Sequence, residues 1–324
     1  MMIIETPRRL HLGLIDPSGS LGRRFGSLGV ALEDGYRIKL FPHDSLVVKA
    51  EGEDVETIKS VIKRMNERFG TGFNYLVEVE RAIPRHVGLG STTQLSLGLA
   101  LGIARLNGVN TNVEELASLL GRGKNSGTGI YAFKFGGFVL DGGVRGGIPP
   151  LIFREEFPED WAFILVTPEV EPGFDEEEEK PVMEGTLGNI EAAREISHRI
   201  LLGLLPALRE RDIEAFGGHL SEIQRLVGRH FESTQGGEFR EDVKLVVDFL
   251  REKTHGAGQS SWGPTVYGLI DRELYPAISA KLNDFLREHG IRARVELGRV
   301  RNRGAEVISE NAYLERLIRS VGER

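Results

Sequence analysis

The sequence predicts an α+β fold in which strands lead the first half and helices lead the second. Alternating apolar and polar residues at 3–14, 36–50 and 74–83 are typical of strands, whereas long helical patterns follow after residue 186. Of 324 residues, 40% are hydrophobic and 27% are charged, which is ordinary for a chain with a sizeable core. The glycine-rich half ends between 149 and 169, so we predict two domains, 1–155 and 156–324.

The first half also contains three predicted helices, at 55–69, 94–106 and 112–120. Helix 55–69 has apolar residues at helical spacing and stops at Gly70, a suitable C-cap. The segment 124–147 is rich in glycine, and we expect one short strand within it, at 138–141.

The second half is expected to begin with a buried strand at 161–167 and a loop at 171–185. The acidic run 175–179 in that loop is interpreted as a solvated surface, because charge runs usually face water. The remaining pattern predicts helices, a glycine-rich turn and two strands: helices 187–210, 212–230, 241–253 and 274–289, turn 256–264, strands 265–270 and 291–297.

Composition excludes several classes of function. The formal charge of −7 argues against a nucleic-acid binder, which would need a basic face. The absence of cysteine excludes disulfides, thiolate zinc sites and cysteine nucleophiles. No apolar stretch approaches the roughly 20 residues of a membrane span, and residues 1–9 show no secretory pattern. We therefore expect a cytoplasmic protein that binds neither nucleic acid nor membrane.

The segment 84–94 joins a predicted strand to a predicted helix and has the features of an anion-binding turn. Gly88 and Gly90 permit a positive φ, and the free amides of the next helix would point at a ligand. Hydroxyls follow at Ser91, Thr92 and Thr93, where Thr92 or Thr93 could also reach magnesium. The segment is neither a Walker P-loop nor a dinucleotide-binding fingerprint. A tight structural turn capped by the serine is the alternative interpretation.

Segment 84–94 resembles the second, phosphate-binding motif of the GHMP superfamily of small-molecule kinases. Two further segments fall in the expected order: 7–13 (PRRLHLG) resembles the first motif and 254–261 (THGAGQSS) the third. The resemblance covers most of the chain. It implies an N-terminal domain like domain 2 of ribosomal protein S5 and a ferredoxin-like C-terminal domain.

One position departs from the kinases of this superfamily. Many of them carry Ser-Gly-x-Asp where this chain has Ser126-Gly127-Thr128-Gly129, and that aspartate assists phosphoryl transfer. Glycine cannot accept a proton, so the usual base is missing. Some members, homoserine kinase among them, also lack it, so a kinase remains open.

Segments 9–16, 122–129, 136–143 and 259–264 resemble one branch of the superfamily, the β-ribofuranosylaminobenzene 5′-phosphate synthases. This resemblance implies condensation of phosphoribosyl pyrophosphate with 4-aminobenzoate or 4-hydroxybenzoate in methanopterin biosynthesis, with release of CO2 and pyrophosphate. It also implies Mg²⁺ as cofactor and a homodimer. The alternatives are an ATP-dependent GHMP small-molecule kinase and a non-catalytic ligand-binding protein on the same fold.

The candidate site residues follow from these motifs. We expect catalytic roles for five residues: Arg9, His11, Asp16, Lys124 and Asp141. Substrate and phosphate binding is assigned to the glycine-rich segments: Gly88, Leu89, Gly90, Ser91, Thr92, Thr93, Ser126, Gly258, Gln259, Ser260, Ser261 and Trp262. Thr92 is the predicted metal ligand, and Trp262 could stack on the aromatic acid.

Overall fold

The structure is a computed structural model, and it describes residues 1–70, 74–174, 176–186 and 188–313. Thirteen strands are present in these residues: β1 (Met2–Glu5), β2 (Arg8–Asp16), β3 (Phe25–Leu32), β4 (Arg37–His43), β5 (Val47–Lys49), β6 (Asn74–Arg81), β7 (Phe138–Asp141), β8 (Leu151–Glu155), β9 (Trp161–Pro168), β10 (Gly256–Gln259), β11 (Val266–Asp271), β12 (Ala293–Arg299) and β13 (Glu306–Ser309).

Eleven α-helices lie between them in the same residues: α1 (Glu53–Phe69), α2 (Ser91–Leu106), α3 (Val113–Leu119), α4 (Thr128–Phe135), α5 (Glu176–Gly185), α6 (Ile190–Arg199), α7 (Leu205–Glu210), α8 (Ile213–His230), α9 (Glu232–Gln235), α10 (Glu241–Lys253) and α11 (Tyr275–Glu288). A π-helical turn at Ile200–Leu204 joins α6 to α7. None of the described helices combines the length and apolar character that crossing a membrane requires.

The N-terminal half contains two sheets, of strand order β13-β1-β4-β6-β5 and β2-β3-β7-β8. Helix α2 is apolar on nearly all sides and packs between the sheets, against α1, α4 and β1. Its buried position fixes the glycine-rich turn before it at the inner edge of the sheets.

The C-terminal half is built on one antiparallel sheet of order β10-β11-β9-β12. The chain makes these strands in the order β9, β10, β11 and β12, with helices after β9 and after β11. That is the β-α-β-β-α-β arrangement of ferredoxin-like domains. The predicted α+β class and the ferredoxin-like second domain are confirmed.

The chain crosses between the two halves more than once. Strand β8 ends at Glu155 in the N-terminal half, and β9 begins at Trp161 in the C-terminal sheet. The last strand, β13, then returns to pair with β1. The predicted domain boundary at 155/156 stays a prediction. Strand β13 follows that boundary in the chain but pairs with a strand of the first half.

Several elements differ from the sequence-based prediction. Strand β3 was missed because all eight of its residues are buried and the segment shows no alternation. Helix α4 was missed because it is short, glycine-flanked and rich in aromatic residues, and its burial against β3 overrides that weak propensity. The segments 3–14 and 36–50 each form two strands, β8 and β13 were not predicted, and the predicted turn at 256–264 begins as β10.

The predicted loop at 171–185 is also wrong over most of its length, because 176–185 form helix α5. Pro181 lies inside this helix and discouraged a helical interpretation. The predicted helix 187–210 is instead α6, a π-helical turn and α7. Asp175 and Leu187, which those predictions included, lie outside the described residues.

Candidate active site

The three motifs meet at one buried side chain. The hydroxyl of Ser260 donates to the carbonyl of Gly88 at 2.8 Å and accepts from the backbone amide of His11 at 3.0 Å. It therefore joins the third motif to the second and to the first. Gln224 on α8 adds a second junction, since its side chain donates to Leu12 and accepts from the amide of Gln259. Segments more than 170 residues apart in the chain thus form one site.

The glycine-rich turn directs its carbonyls inward and leaves its amides free. The carbonyl of Leu89 accepts from the amide of Arg9 at 3.0 Å, and that of Gly88 accepts from Ser260 and from the Arg9 guanidinium at 3.2 Å. Among the described residues, the amides of Gly88, Leu89 and Gly90 donate no hydrogen bond. Together with the first amides of α2, they form a donor set that suits an anion.

Gly88 also serves a packing requirement. Its φ is +87°, and a Cβ atom there would lie 2.1 Å from the carbonyl oxygen of Ser260. The sequence led us to expect this glycine to admit a ligand, but the closest approach is to the third motif. The glycine is needed to bring the two loops into contact.

The hydroxyls of the turn point in different directions. Thr93 lines a large cavity of the described residues. Ser91 is buried at the start of α2. The oxygen of Thr92 accepts from the guanidinium of Arg85 at 2.8 Å, and Arg85 also forms an ion pair with Asp54. Thr92, the predicted metal ligand, therefore already has the cationic side chain of Arg85 as its neighbour.

The cavity, of about 600 Å³, lies between β2, the segment before α4, helices α5 and α8, and the 259–262 turn. Its lining includes four cationic side chains: Arg9, Arg24, Arg122 and Lys124. It also includes apolar side chains: Leu14, Phe25, Val144, Met183, Val227, Phe231 and Trp262. The two kinds intermix, since the Arg24 guanidinium lies 4.9 Å from the ring centroid of Phe25. Such a lining suits ligands that have both anionic and aromatic parts.

Arg9 and His11 share the cavity wall, as strand alternation predicts. Burial lowers the pKa of Arg9 to about 10, and its Nε has no hydrogen-bond partner among the described residues. Burial, followed by the nearby Arg9 charge, lowers the pKa of His11 to about 3, so this imidazole is neutral. Its Nδ1 accepts from the amide of Gly13, which assigns the proton to Nε2. Arg9 thus supplies the charge here, and His11 supplies a neutral donor.

The other predicted catalytic residues lie at different depths. Lys124 lines the cavity, and Ser126, which we expected to bind phosphate, does so too. Asp141 is buried behind this segment, where its carboxylate accepts from the amides of Gly127 at 2.8 Å and Gly143 at 2.9 Å. Burial outweighs these bonds and raises its pKa to about 6. In this structure Asp141 holds the 124–127 segment in place.

Some of the remaining predicted residues line the cavity and others lie outside its lining. Gln259, Ser261 and Trp262 line the cavity. Asp16 lies outside it and accepts from the amide of Ser18 at 2.7 Å. Gly258 supports the wall, because a Cβ there would approach the Gln224 side chain to 2.5 Å. The assigned roles stay predictions.

Comparison with known proteins places this fold and site in a family. The GHMP kinases N terminal domain matches residues 56–137 and the GHMP kinases C terminal domain matches residues 204–288. The chain is 35% identical to the β-ribofuranosylphenol 5′-phosphate synthase of Archaeoglobus fulgidus, over 95% of this chain and 99% of the relative. The synthase of the same name from Methanocaldococcus jannaschii is 32% identical, over 94% of this chain and all of the relative.

The chain belongs to the β-ribofuranosylphenol 5′-phosphate synthase family, within the GHMP superfamily. The fold is shared more widely. Mevalonate kinase from Methanococcus jannaschii superposes with a TM-score of 0.67 at 17% identity, covering 93% of this chain and 98% of the kinase. The superfamily and branch that the motifs resemble are thereby confirmed.

Position 129 distinguishes this synthase-family member from the aspartate-bearing kinases. A Cβ atom at Gly129 would lie 3.2 Å from the Thr93 methyl group, so the position faces the helix that starts at the glycine-rich turn. No carboxylate occupies it. The carbonyl of Gly129 instead accepts from the side chain of Gln94 at 2.8 Å.

Sequence reasoning missed Glu179. The acidic run was expected to face water, but helix α5 directs Glu179 into the cavity, where its carboxylate accepts from the indole of Trp262 at 3.3 Å. The side chain of Asn125 also hydrogen-bonds it. Met183, one helical turn after Glu179, lines the same cavity. Their spacing of four residues, which places both side chains on one face of a helix, was the signal in the sequence that could have found Glu179.

Trp262 lines the cavity and contacts both aromatic and acidic neighbours. Its ring packs edge-on against Phe231 at 4.7 Å between centroids, and at a tilt of 49° against Phe174 at 5.2 Å. The indole thereby packs on apolar side chains of the cavity, while its N–H donates to Glu179. The predicted stacking of Trp262 on an aromatic acid stays a prediction.

Proposed function

We propose that this protein joins phosphoribosyl pyrophosphate to a 4-substituted benzoate, with loss of CO2 and pyrophosphate, in methanopterin biosynthesis. The product is a β-ribofuranosyl C-riboside 5′-phosphate. The observation that carries this proposal is the combination of family membership with a cavity whose lining includes both cationic and aromatic side chains. A phosphorylated donor suits the cations and an arene suits the aromatic side chains.

The donor's phosphates are assigned to the cationic side chains Arg9 and Lys124, which line the cavity. The glycine-rich turn adjoins Arg9 through the carbonyl of Gly88, and within 84–94 the described cavity lining includes Thr93 alone. Charge-assisted hydrogen bonds of this kind are the strong ones and are well suited to phosphate oxygens. Positioning the donor by its phosphates presents the anomeric carbon to the open cavity.

Mg²⁺ is proposed as the cofactor. The described residues contain no cluster of three acidic or histidine ligands. We therefore propose that oxygens of the pyrophosphate supply most of the ligands of the ion. The hydroxyl of Thr93, which lines the cavity, is the protein oxygen that would complete its shell. The predicted ligand Thr92 does not fit this role, because its oxygen accepts from the Arg85 guanidinium. When bound, the ion would neutralise charge on the departing pyrophosphate.

The acceptor is proposed to be 4-hydroxybenzoate. The relatives' name specifies a phenol, and among the two acceptors considered only the hydroxy acid gives a phenol after decarboxylation. The arene would lie against the wall formed by Phe231, Met183 and Trp262. Aromatic contacts of this kind contribute both buried area and a fixed ring orientation.

The chemistry explains why no base is needed at position 129. As the pyrophosphate leaves, the anomeric carbon becomes electron-deficient, and the ring carbon that bears the carboxylate attacks it. Loss of CO2 returns the electron pair to the ring and restores aromaticity, so no ring proton has to be removed. The protein's tasks are to position both reactants and to stabilise the developing charges.

The experiment incubates the protein with Mg²⁺, phosphoribosyl pyrophosphate and carboxyl-labelled 4-hydroxybenzoate. We expect release of labelled CO2 and pyrophosphate in equal amounts, and loss of both in an Arg9→Met variant. An Arg292→Met variant is the matched control, because that side chain is 83% exposed and does not line the cavity. Absence of labelled CO2 with the wild-type protein would refute the proposal.

A parallel mixture with ATP and candidate alcohols tests the kinase alternative. We expect no phosphorylated alcohol there, because the relatives that match nearly the whole chain are named as synthases and Gly129 supplies no carboxylate. Tight ligand binding without turnover in either mixture would instead support the non-catalytic alternative.

We also propose that the protein is a cytoplasmic homodimer. Both statements rest on the family resemblance and on the composition of the chain. Sedimentation equilibrium tests the dimer and cell fractionation tests the location.

A further inference from the structure

Glu179 is a carboxylate that the reaction as outlined leaves without a role. It lies on α5, is partly buried, and faces the cavity rather than solvent. Its neighbours are the indole N–H of Trp262, the side chain of Asn125 and the positive charge of Arg9. Burying a carboxylate costs free energy even when donors and a nearby cation offset part of that cost, so its presence at the cavity wall calls for an explanation.

Glu179 lies beside an apolar cluster of the cavity lining. Trp262, its hydrogen-bond donor, packs on a small buried cluster composed of Leu14, Phe25, Met183 and Phe231. All four of these side chains line the cavity. A ring placed against this wall would therefore have Glu179 at one of its edges.

The other acidic residues of the described cavity lining are placed less well. Glu238 lies near the arginines of α8, 3.7 Å from Arg225 and 3.6 Å from Arg229. Glu184 is exposed at the end of α5. Asp141 does not line the cavity, because it lies behind the 124–127 segment, where it is bonded to backbone amides. Glu179 is thus the carboxylate best placed to meet a ring that packs on Trp262.

Charge decides which end of the acceptor would face this carboxylate. 4-Hydroxybenzoate carries a carboxylate at one end of the ring and a hydroxyl at the other. A second carboxylate beside Glu179 in a poorly solvated pocket would be repelled, whereas a hydroxyl can donate a hydrogen bond to it. With the hydroxyl at Glu179, the carbon that bears the carboxylate lies at the opposite end of the ring, and the proposed reaction needs the anomeric carbon of the donor there.

We propose that Glu179 binds the para-hydroxyl group of the acceptor and takes its proton as the ring attacks the ribose. This inference rests on the proposed function. The O–H electron pair moves into the ring, the new C–C bond forms at the para carbon, and the C–O bond to pyrophosphate breaks. The C–COO⁻ bond then breaks, CO2 leaves, and its electron pair restores the phenolate. Glu179 returns the proton to that oxygen, so it is unchanged overall.

The electrostatic surroundings of Glu179 support this role. Burial raises its pKa, although Trp262, Asn125 and Arg9 act in the opposite direction. A carboxylate whose pKa is raised is a better proton acceptor, which is how general bases are commonly tuned. The Trp262 indole fixes the orientation of the carboxylate without neutralising it.

The test compares two acceptors in wild-type protein and in Glu179→Gln. The acceptors are 4-hydroxybenzoate and 3,5-difluoro-4-hydroxybenzoate, whose fluorines make the phenol far more acidic. Because the difluoro phenol ionises without help, it has little need of a base. We expect kcat/KM for 4-hydroxybenzoate to fall about 100-fold or more in the variant, as for loss of a general base. For the difluoro acceptor we expect a loss below about 10-fold.

The ratio of the two acceptors is the decisive quantity, because it does not depend on the fraction of folded enzyme. Glu178→Gln is the matched control: Glu178 is the preceding residue on α5 and its side chain is exposed, so we expect the wild-type ratio. Equal losses with both acceptors, or no loss with either, would overturn the role of Glu179. If Glu179→Gln does not fold, Glu179→Asp is used, and again the larger loss is expected with 4-hydroxybenzoate. The proposed function itself fails only if the wild-type protein turns over neither acceptor.

Discussion

The contact among the three motifs depends on one hydroxyl, and its removal should be measurable as a loss of stability. In Ser260→Ala the amide of His11 loses its acceptor, and that residue is only 8% exposed. A buried donor without a partner costs about 1–3 kcal/mol. The carbonyl of Gly88 loses one of two donors but keeps the guanidinium of Arg9, so its contribution is smaller. The change also removes the desolvation cost of the hydroxyl, which offsets about 1 kcal/mol.

The expected net loss is about 2 kcal/mol in the free energy of unfolding, measured by urea denaturation followed by circular dichroism. Ser279→Ala is the matched control. This exposed serine on α11 donates a single hydrogen bond, and its loss should cost less than about 0.5 kcal/mol. We also expect KM for phosphoribosyl pyrophosphate to rise, because the glycine-rich turn is held against β2 by this contact. A Ser260→Ala protein as stable as wild type would refute the claim that this serine joins the motifs.

Three further predictions test the surroundings of the site. Gly88→Ala should destabilise the protein by more than about 3 kcal/mol, because a Cβ would lie 2.1 Å from the backbone of Ser260 at a φ of +87°. Gly70→Ala, whose Cβ would meet open space, should cost about 1 kcal/mol in the same urea titration. Asp141→Asn should destabilise more at pH 4 than at pH 7. The folded pKa of Asp141 is raised from 3.8 to about 6, so its contribution, about 2–3 kcal/mol, is present below pH 4 and lost as the pH rises through 6. Equal effects at both pH values would contradict the raised pKa. Arg9→Met should weaken pyrophosphate binding about 30-fold or more by calorimetry, since a buried charge-assisted donor is removed; an unchanged dissociation constant would exclude Arg9 from the phosphate side.

The elements that the sequence predicted well are those with strong local signals. Helix α1 and strand β6 have clear periodicity, and the glycine-rich turn before α2 lies where expected. Strand β3 and helix α4 were missed because both are fully packed within the N-terminal half. Burial on all sides removes the alternation and amphipathicity on which such predictions depend.

For the candidate site, too, local signals predicted some features and burial decided the others. Arg9 and His11 were placed on one face by strand alternation, and the cavity confirms that they share a wall. The neutral state of His11 could not be predicted, because it follows from burial beside Arg9. Glu179 was assigned to the surface, since its environment is created by residues far away in the chain, Asn125 and Trp262.

The amino-acid sequence by itself determined the superfamily, the branch within it, the order of the three motifs and the absence of a carboxylate at position 129. These properties depend on residue types at fixed spacings along the chain. They can be recognised without knowledge of contacts between distant residues. Only the tertiary structure decided that Gly88 is a packing glycine, that Asp141 supports the loop behind the cavity, and that Glu179 faces the cavity. Each of those outcomes depends on burial and on contacts between residues that are far apart in the chain. Neither burial nor such contacts can be read from the local sequence.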